Sequence, residues 1–165
     1  MAGVVAWLVI AIDQSTKRQI EAQLGPGRAT DRVGVIGDWF ALEYAQNRGA
    51  AFGLLGSNPS LVTVAAVVIL VVLIGYAATR RVGSAWLWFG AGLVAGGAVG
   101  NLIDRVRLGY VIDFVAVGRW PNFNVADAAI SVGVTCLAVD ALISDSHGLG
   151  VERRGAPDKR ETTDG

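Results

Sequence analysis

Apolar and polar positions follow one another along this chain in long blocks. Met1 to Ile12 is apolar and gives way to Asp13, Gln14, Lys17 and Arg18. Leu61 to Ala78 runs eighteen residues without a charge and is closed by Arg80 and Arg81. Ala85 to Ile103 is a third apolar block and Val125 to Ile143 a fourth. A helix needs about 20 mostly apolar residues to cross a bilayer. The pattern therefore predicts a membrane protein, mainly α, with four transmembrane helices at about 1–22, 61–78, 85–105 and 125–143. Between the first two blocks, Phe40, Leu42 and Tyr44 alternate with Ala41, Glu43 and Ala45, the period of a strand. Asn47 to Gly49 supplies a turn, and Ala50 to Leu55 a returning strand. This predicts a small extramembrane β-sheet at about 38–56, lying on the bilayer surface. A loop with Gly109, Gly118 and Pro121 joins the last two spans, and 145–165 reads as a polar, disordered cytoplasmic tail behind a single membrane domain at 1–144.

The first block is short. Either Asp13 and Lys17 lie inside the outer part of the helix and face protein, or the natural start is upstream of Met1. A signal-peptide core is the competing reading, but no basic residue precedes the block and no small-x-small site follows it. Asp13 and Lys17 are four apart with the acid first, the order that suits an ion pair within a helix. In the third block Gly92, Gly96 and Gly100 share one face, the small-xxx-small spacing that lets helices approach closely.

Composition sharpens this picture. Of 165 residues, 53 % are hydrophobic and 17 % charged, and the net charge is zero. Mean hydropathy is +0.49. There is no basic, aromatic-interleaved patch for nucleic acid. The glycines do not fit a dinucleotide-binding motif. The single Cys136 forms no intrachain disulfide, and no His and Cys group has metal-ligand spacing. Four spans put both termini on one side, assigned as cytoplasmic from Arg80, Arg81 and the basic tail. The charge bias is weak: six of the fourteen Lys and Arg fall there and eight opposite. Trp39, Trp86, Trp88 and Trp120 fall near the predicted interfaces, where aromatic belts form.

What the blocks enclose is the chemistry. Asp104, Arg105, Asp113 and Asp127 all arrive at the outer surface, and Asp13 and Asn47 reach the same level. Charge beside hydrocarbon costs roughly 2.5 to 3.5 kcal/mol per group, so such a cluster points to function. Two carboxylates converging in a partly desolvated site cannot both ionise comfortably, so one holds a proton. An aspartyl peptidase needs that state: the ionised acid takes a proton from water and the protonated one donates to the oxyanion. Plainer readings stand beside this one. Asp104 with Arg105 reads better as a structural ion pair and Asp13 with Lys17 as scaffold, Asp127 also reads as a helix cap with Asn124, and Asp113 as a loop acid. Asp140, roughly 20 Å along the fourth helix from Asp127, is expected solvated at the opposite surface. His147 lies in the tail and supports no Ser or Cys nucleophile.

Five segments in order resemble the bacterial lipoprotein signal peptidases, also called signal peptidase II. They are Asp13-Gln14-x-x-Lys17, Asn47-x-Gly49-Ala50-Ala51-Phe52, Gly96-Gly97-Ala98-x-Gly100-Asn101-x-x-Asp104-Arg105, Val111-Ile112-Asp113-Phe114 and Phe123-Asn124-Val125-Ala126-Asp127. The resemblance implies four membrane helices with a periplasmic β-sheet cradle. It implies an enzyme of the bacterial inner membrane that removes the signal peptide from a prolipoprotein, cutting before a cysteine that already carries diacylglycerol. Asp113 and Asp127 would be the catalytic pair. Asn47, Asn101, Arg105 and Asn124 would bind substrate or orient the pair, with Asp104 buttressing Arg105. No metal or cofactor is implied. Partners would be the lipidated prolipoprotein, membrane lipids and globomycin-type inhibitors, and the enzyme is expected to be a monomer. The first helix is shorter at its start than the family usually shows. A proton-coupled transporter would instead place its acids near the midplane in repeated halves, and an assembly factor would use the glycines but leave Asp113 and Asp127 unexplained.

Overall fold

A computed structural model describes residues 1–37, 39–49, 68, 71, 72, 75 and 84–152, with side chains through Ile143. The expected span at 61–78 and the returning strand at 50–55 lie outside the described residues, apart from helical positions at Val68, Val71, Val72 and Gly75. Helix α1 runs Ala2–Leu24, so Asp13, Gln14 and Lys17 sit inside the helix and are all buried, while Arg18 is exposed. Helix α2 spans Ala85–Leu108. It starts at Ser84, whose hydroxyl accepts from the Leu87 N–H, and stops at Gly109, which adopts φ 79°. Helix α3 spans Val125–Glu152, past the expected end at 143; no proline interrupts the sequence before Pro157. Among the described residues, two helices are long and apolar enough to cross a membrane, Ala85–Leu108 and Val125–Ile143.

Glycines let these helices touch. A Cβ at Gly92 or Gly96 would lie 2.7 Å from the carbonyl oxygen of Ala2 or Ala6, so the predicted small-residue face packs on α1. Gly97 and Gly90 lie against α3, where a Cβ would meet the oxygen of Ala126 at 2.4 Å or of Gly133 at 2.8 Å.

The sheet is larger than expected. Strands β1 (Arg32–Ile36), β2 (Phe40–Asn47) and β3 (Val111–Val117) form an antiparallel sheet in the order β1-β2-β3. Of these three, β2 was expected, and the returning strand expected at 50–55 lies outside the described residues. The segment holding Asp113 is a strand, not a loop, and hydrophobic alternation misses it because β3 is buried on nearly every residue. β1 is the opposite case, exposed throughout and interrupted by Gly34. In the β2–β3 ladder Asn47 pairs with Val111 and Ala45 with Asp113. Ile20 and Leu24 of α1 pack on Ile112 and Phe114 of β3, fastening the sheet to the helices at the level of the acids. At the far end Asp140 is buried rather than solvated, and accepts a hydrogen bond from Ser84, because antiparallel α2 and α3 bring the two together.

Candidate active site

The site forms where β3 and the first turn of α3 meet. Asp113 comes from β3 and is 2 % exposed. Asp127 comes from the first turn of α3 and is half-buried. Asn124 stands between them. Its Nδ2 donates to Asp113 Oδ1 at 2.7 Å, and its Oδ1 accepts from the Asp127 N–H at 2.9 Å. Asp127 Oδ2 accepts in return from the Asn124 N–H at 3.2 Å, the reciprocal capping expected from the sequence. Asn47, at the end of β2, donates to Asp113 Oδ2 at 2.9 Å, and Asn101 of α2 donates to Asp127 Oδ1 at 2.8 Å. All four carboxylate oxygens therefore have a donor.

Behind this layer lies a buried charge cluster. Lys17 Nζ reaches Asp13 Oδ2 at 2.9 Å, Asp104 Oδ2 at 2.8 Å and Asn101 Oδ1 at 3.0 Å, one acceptor for each of its three protons. Gln14 donates to Asp104 Oδ1 at 2.9 Å and to the Gly100 carbonyl at 3.2 Å. Asp104 Oδ2 also accepts from the Ile112 N–H, one residue before Asp113. Asp13 Oδ1 accepts from the Ala126 N–H at 3.0 Å, one residue before Asp127. The cluster thus grips the backbone beside each acid of the pair.

Every expected site residue is in this assembly, with one change of partner. Asp104 pairs with Lys17 rather than with its neighbour Arg105. Successive helical residues point about 100° apart, so adjacency in sequence does not make a contact. Arg105 faces the other way. Its electrostatic partners are Asp127 first, then Asp113 and Asp104, and its guanidinium donates to the Asn101 carbonyl at 3.4 Å. Gln14 belonged to a recognised segment without being assigned a role. Glu43 and Asn122 were missed altogether: Asn122 donates to Glu43, which also pairs with Arg32 at 2.7 Å, tying the rim of the site to the β1–β2 hairpin.

Burial, and after it the charge of Asp127, pushes Asp113 up to about 6; the hydrogen bonds from Asn47 and Asn124 and the charge of Lys17 pull it down by less. Asp127 opens into a pocket of about 380 Å³ lined by Trp120, Phe123, Asn122, Ile130 and Asn47. A larger hollow of about 460 Å³ lies between the turn after α1 and Tyr44, and neither acid of the pair lines it. Two acids, one protonatable above the usual carboxylate range, beside an apolar-walled pocket can activate a water against a bound carbonyl.

The chain as a whole is similar to known proteins. The family model described as signal peptidase (SPase) II matches residues 5–143. The lipoprotein signal peptidase of Halothermothrix orenii is 41 % identical over 138 residues, covering 83 % of this chain and 92 % of its own. That of Rhodococcus jostii is 42 % identical over 159 residues, covering 91 % and 78 %. Two solved structures, each described as a bacterial membrane enzyme determined by the in meso method, superpose with TM-score 0.74. One, at 2.3 Å resolution, is 26 % identical and covers 99 % of this chain and 94 % of its own. The other, at 1.9 Å, is 29 % identical and covers 87 % and 93 %. The fold, the clustered acids and these matches together establish that the chain belongs to the signal peptidase II family of lipoprotein signal peptidases, which are membrane proteases.

Proposed function

We propose that this protein is an aspartyl endopeptidase that cuts diacylglyceryl-modified prolipoproteins before the lipidated cysteine, with Asp113 and Asp127 as the catalytic pair. The observation that carries the reading is the shared Asn124, which hydrogen-bonds to both acids and joins them across separate elements, with Asp127 lining the adjoining pocket. One acid is ionised and removes a proton from water as the water oxygen attacks the scissile carbonyl carbon. The other is protonated and supplies the oxyanion with its proton. Collapse of the tetrahedral intermediate breaks the C–N bond and returns a proton to the leaving amine. Asn47, Asn101 and Asn124 orient the acids, Arg105 balances their charge from the α2 side, and Asp13, Lys17 and Asp104 support them. No cofactor takes part.

Four helices cross the bacterial inner membrane, with both termini cytoplasmic and the site near the outer surface. Exposed apolar side chains support this: Val4, Trp7, Leu8 and Ile12 on α1, and Val132, Val134, Val139 and Leu142 on α3, would face lipid. Trp39 and Trp120, more than 60 % exposed beside the site, suit the interface. A substrate anchored by its own lipid is held at this depth, so its scissile bond meets the acids and water without being drawn into the bilayer. The enzyme acts as a monomer, and globomycin-type cyclic peptides would compete for the same pocket.

The test is cleavage of a diacylglyceryl-modified prolipoprotein in nanodiscs. Wild type should cut it and leave the unlipidated precursor intact, and folded Asp113→Asn and Asp127→Asn should each lose turnover while still binding substrate. Normal rates in both variants would refute the assignment of the pair.

A further inference from the structure

Three side-chain amides meet the acid pair, and each is oriented from behind. An amide turned toward a carboxylate can offer its NH₂ or its carbonyl, and only the first attracts. The Gly49 N–H occupies Asn47 Oδ1 at 2.8 Å, and the Asp127 N–H occupies Asn124 Oδ1 at 2.9 Å. Behind Asn101 no backbone group donates: its Oδ1 accepts from the ammonium of Lys17 at 3.0 Å and, beside it, from Asn124 Nδ2 at 3.1 Å. An ammonium accepts nothing, so it forces the Asn101 carbonyl inward and its NH₂ onto Asp127. Lys17 has no spare freedom to release that grip, since its other two protons are committed to Asp13 and Asp104.

The two acids are consequently held differently. Asp113, buried on a strand, accepts hydrogen bonds only from neutral amides and feels the charge of Lys17 through space, a smaller effect than burial and Asp127. Asp127 receives an amide polarised by a full positive charge, a backbone N–H at the positive end of a helix, and the foremost electrostatic interaction with Arg105. The surrounding charges are Lys17 and Asp13 on α1 and Asp104 and Arg105 on α2. On β2, Asn47 is neutral and Glu43 is taken up by Arg32 and Asn122.

We propose that Lys17 is a positioning residue which, by locking the Asn101 amide, places the negative charge of the catalytic pair on Asp127 and its proton on Asp113. This rests on the aspartyl-pair reading above and adds direction to it. Asp127 takes the water proton, and the water oxygen bonds to the carbonyl carbon. The carbonyl π electrons pass to oxygen, which takes the proton of Asp113. On collapse Asp113 recovers a proton from the new hydroxyl, Asp127 delivers its proton to the nitrogen, and the C–N bond breaks. The pair is then back in its starting state, with no net gain of protons. The raised affinity of Asp113 for its proton, up to about 6, agrees with this direction.

The experiment is kcat and KM against pH for the full-length enzyme in nanodiscs, using a diacylglyceryl-modified prolipoprotein peptide. Asn101→Asp keeps a partner for Lys17 but turns an acceptor toward Asp127. It should lower kcat about ten- to a hundredfold, the worth of one hydrogen bond to a charged group, and move the acidic limb of the profile to higher pH. KM should change little. Lys17→Met and Asn101→Leu should each lower kcat, and their double variant should be little worse than the poorer single one, because Lys17 acts through Asn101. Should Lys17→Met fail to fold, the Asn101→Asp profile decides alone. An unmoved acidic limb in Asn101→Asp, or additive effects in the double variant, would overturn the proposal while Asp113→Asn and Asp127→Asn remain inactive. Retained cleavage in those two would instead remove the pair itself.

Discussion

Asp113→Asn should make the enzyme inactive yet more heat-stable at alkaline pH. Asp113 is raised from 3.8 to about 6, first by burial and then by Asp127. Its proton is therefore bound more tightly in the folded than in the unfolded chain. The stability this contributes is fully present below about pH 4 and is lost as pH rises through about 6, above which the folded protein carries a buried carboxylate it holds poorly. A gap of about 2 pH units corresponds to about 3 kcal/mol. Asparagine removes that cost. It also turns its own NH₂ toward one of the two donors, Asn47 or Asn124, and forfeits about 1 kcal/mol of hydrogen bonding. The variant should therefore be about 2 kcal/mol more stable than wild type near pH 8 and about 1 kcal/mol less stable near pH 4. For a chain of this size that is roughly 4 to 8 °C upward at the alkaline end. Thermal unfolding followed by circular dichroism in one detergent across the pH range reads both ends. A difference with the same sign and size at both ends would refute the reasoning, because only a titrating group makes it cross zero.

The same shift predicts that kcat/KM of the free enzyme declines as pH rises past about 6, since Asp113 must hold its proton; a profile flat across that region would exclude Asp113 as the acid. Gly97→Ala would set a Cβ 2.4 Å from the Ala126 carbonyl and 2.8 Å from Ile130, wedging α3 away from α2. A destabilisation of about 1–3 kcal/mol is expected, together with lost turnover because Ala126 adjoins Asp127; paired melting and cleavage measurements test it. Ser84→Ala removes the cap of α2 and the donor to buried Asp140, at a cost of about 2 kcal/mol or more, and should leave cleavage at low temperature unchanged.

What was legible in the chain was what its neighbours in sequence decide. The i,i+4 spacing of Asp13 and Lys17, the alternation in β2 and the Asn124–Asp127 cap are local, and each is present. Gly92, Gly96 and Gly100 announced a close face, and α1 occupies it. The failures are tertiary. β3 hides because both of its faces are covered, so its apolar run carries no period of two. Asp140 was expected solvated because its donor, Ser84, stands 56 residues away. Asp104 was matched to Arg105 by adjacency, whereas the ammonium that holds it arrives from α1. That the acids cluster was legible from their cost beside hydrocarbon, while which donor stands behind each amide depends on how the helices assemble.

That dependence makes the site a product of helix assembly rather than of any single segment. The first turn of α3 leaves N–H groups without partners inside the helix. Three of the groups around it are satisfied by side chains: Ala126 N–H by Asp13 from α1, and Asn124 and Asp127 N–H by each other's side chains. Asp13 reaches Ala126 past Gly100 of α2, where a Cβ would come within 2.7 Å of Asp13 Oδ2. Gly100→Ala would therefore push Asp13 off both Ala126 and Lys17 without touching Asp113 or Asp127. It would release the end of the helix that carries Asp127 and loosen the ammonium that orients Asn101. Cleavage should fall more than the loss of stability accounts for, and a variant that loses only stability would show that α3 is held by packing alone.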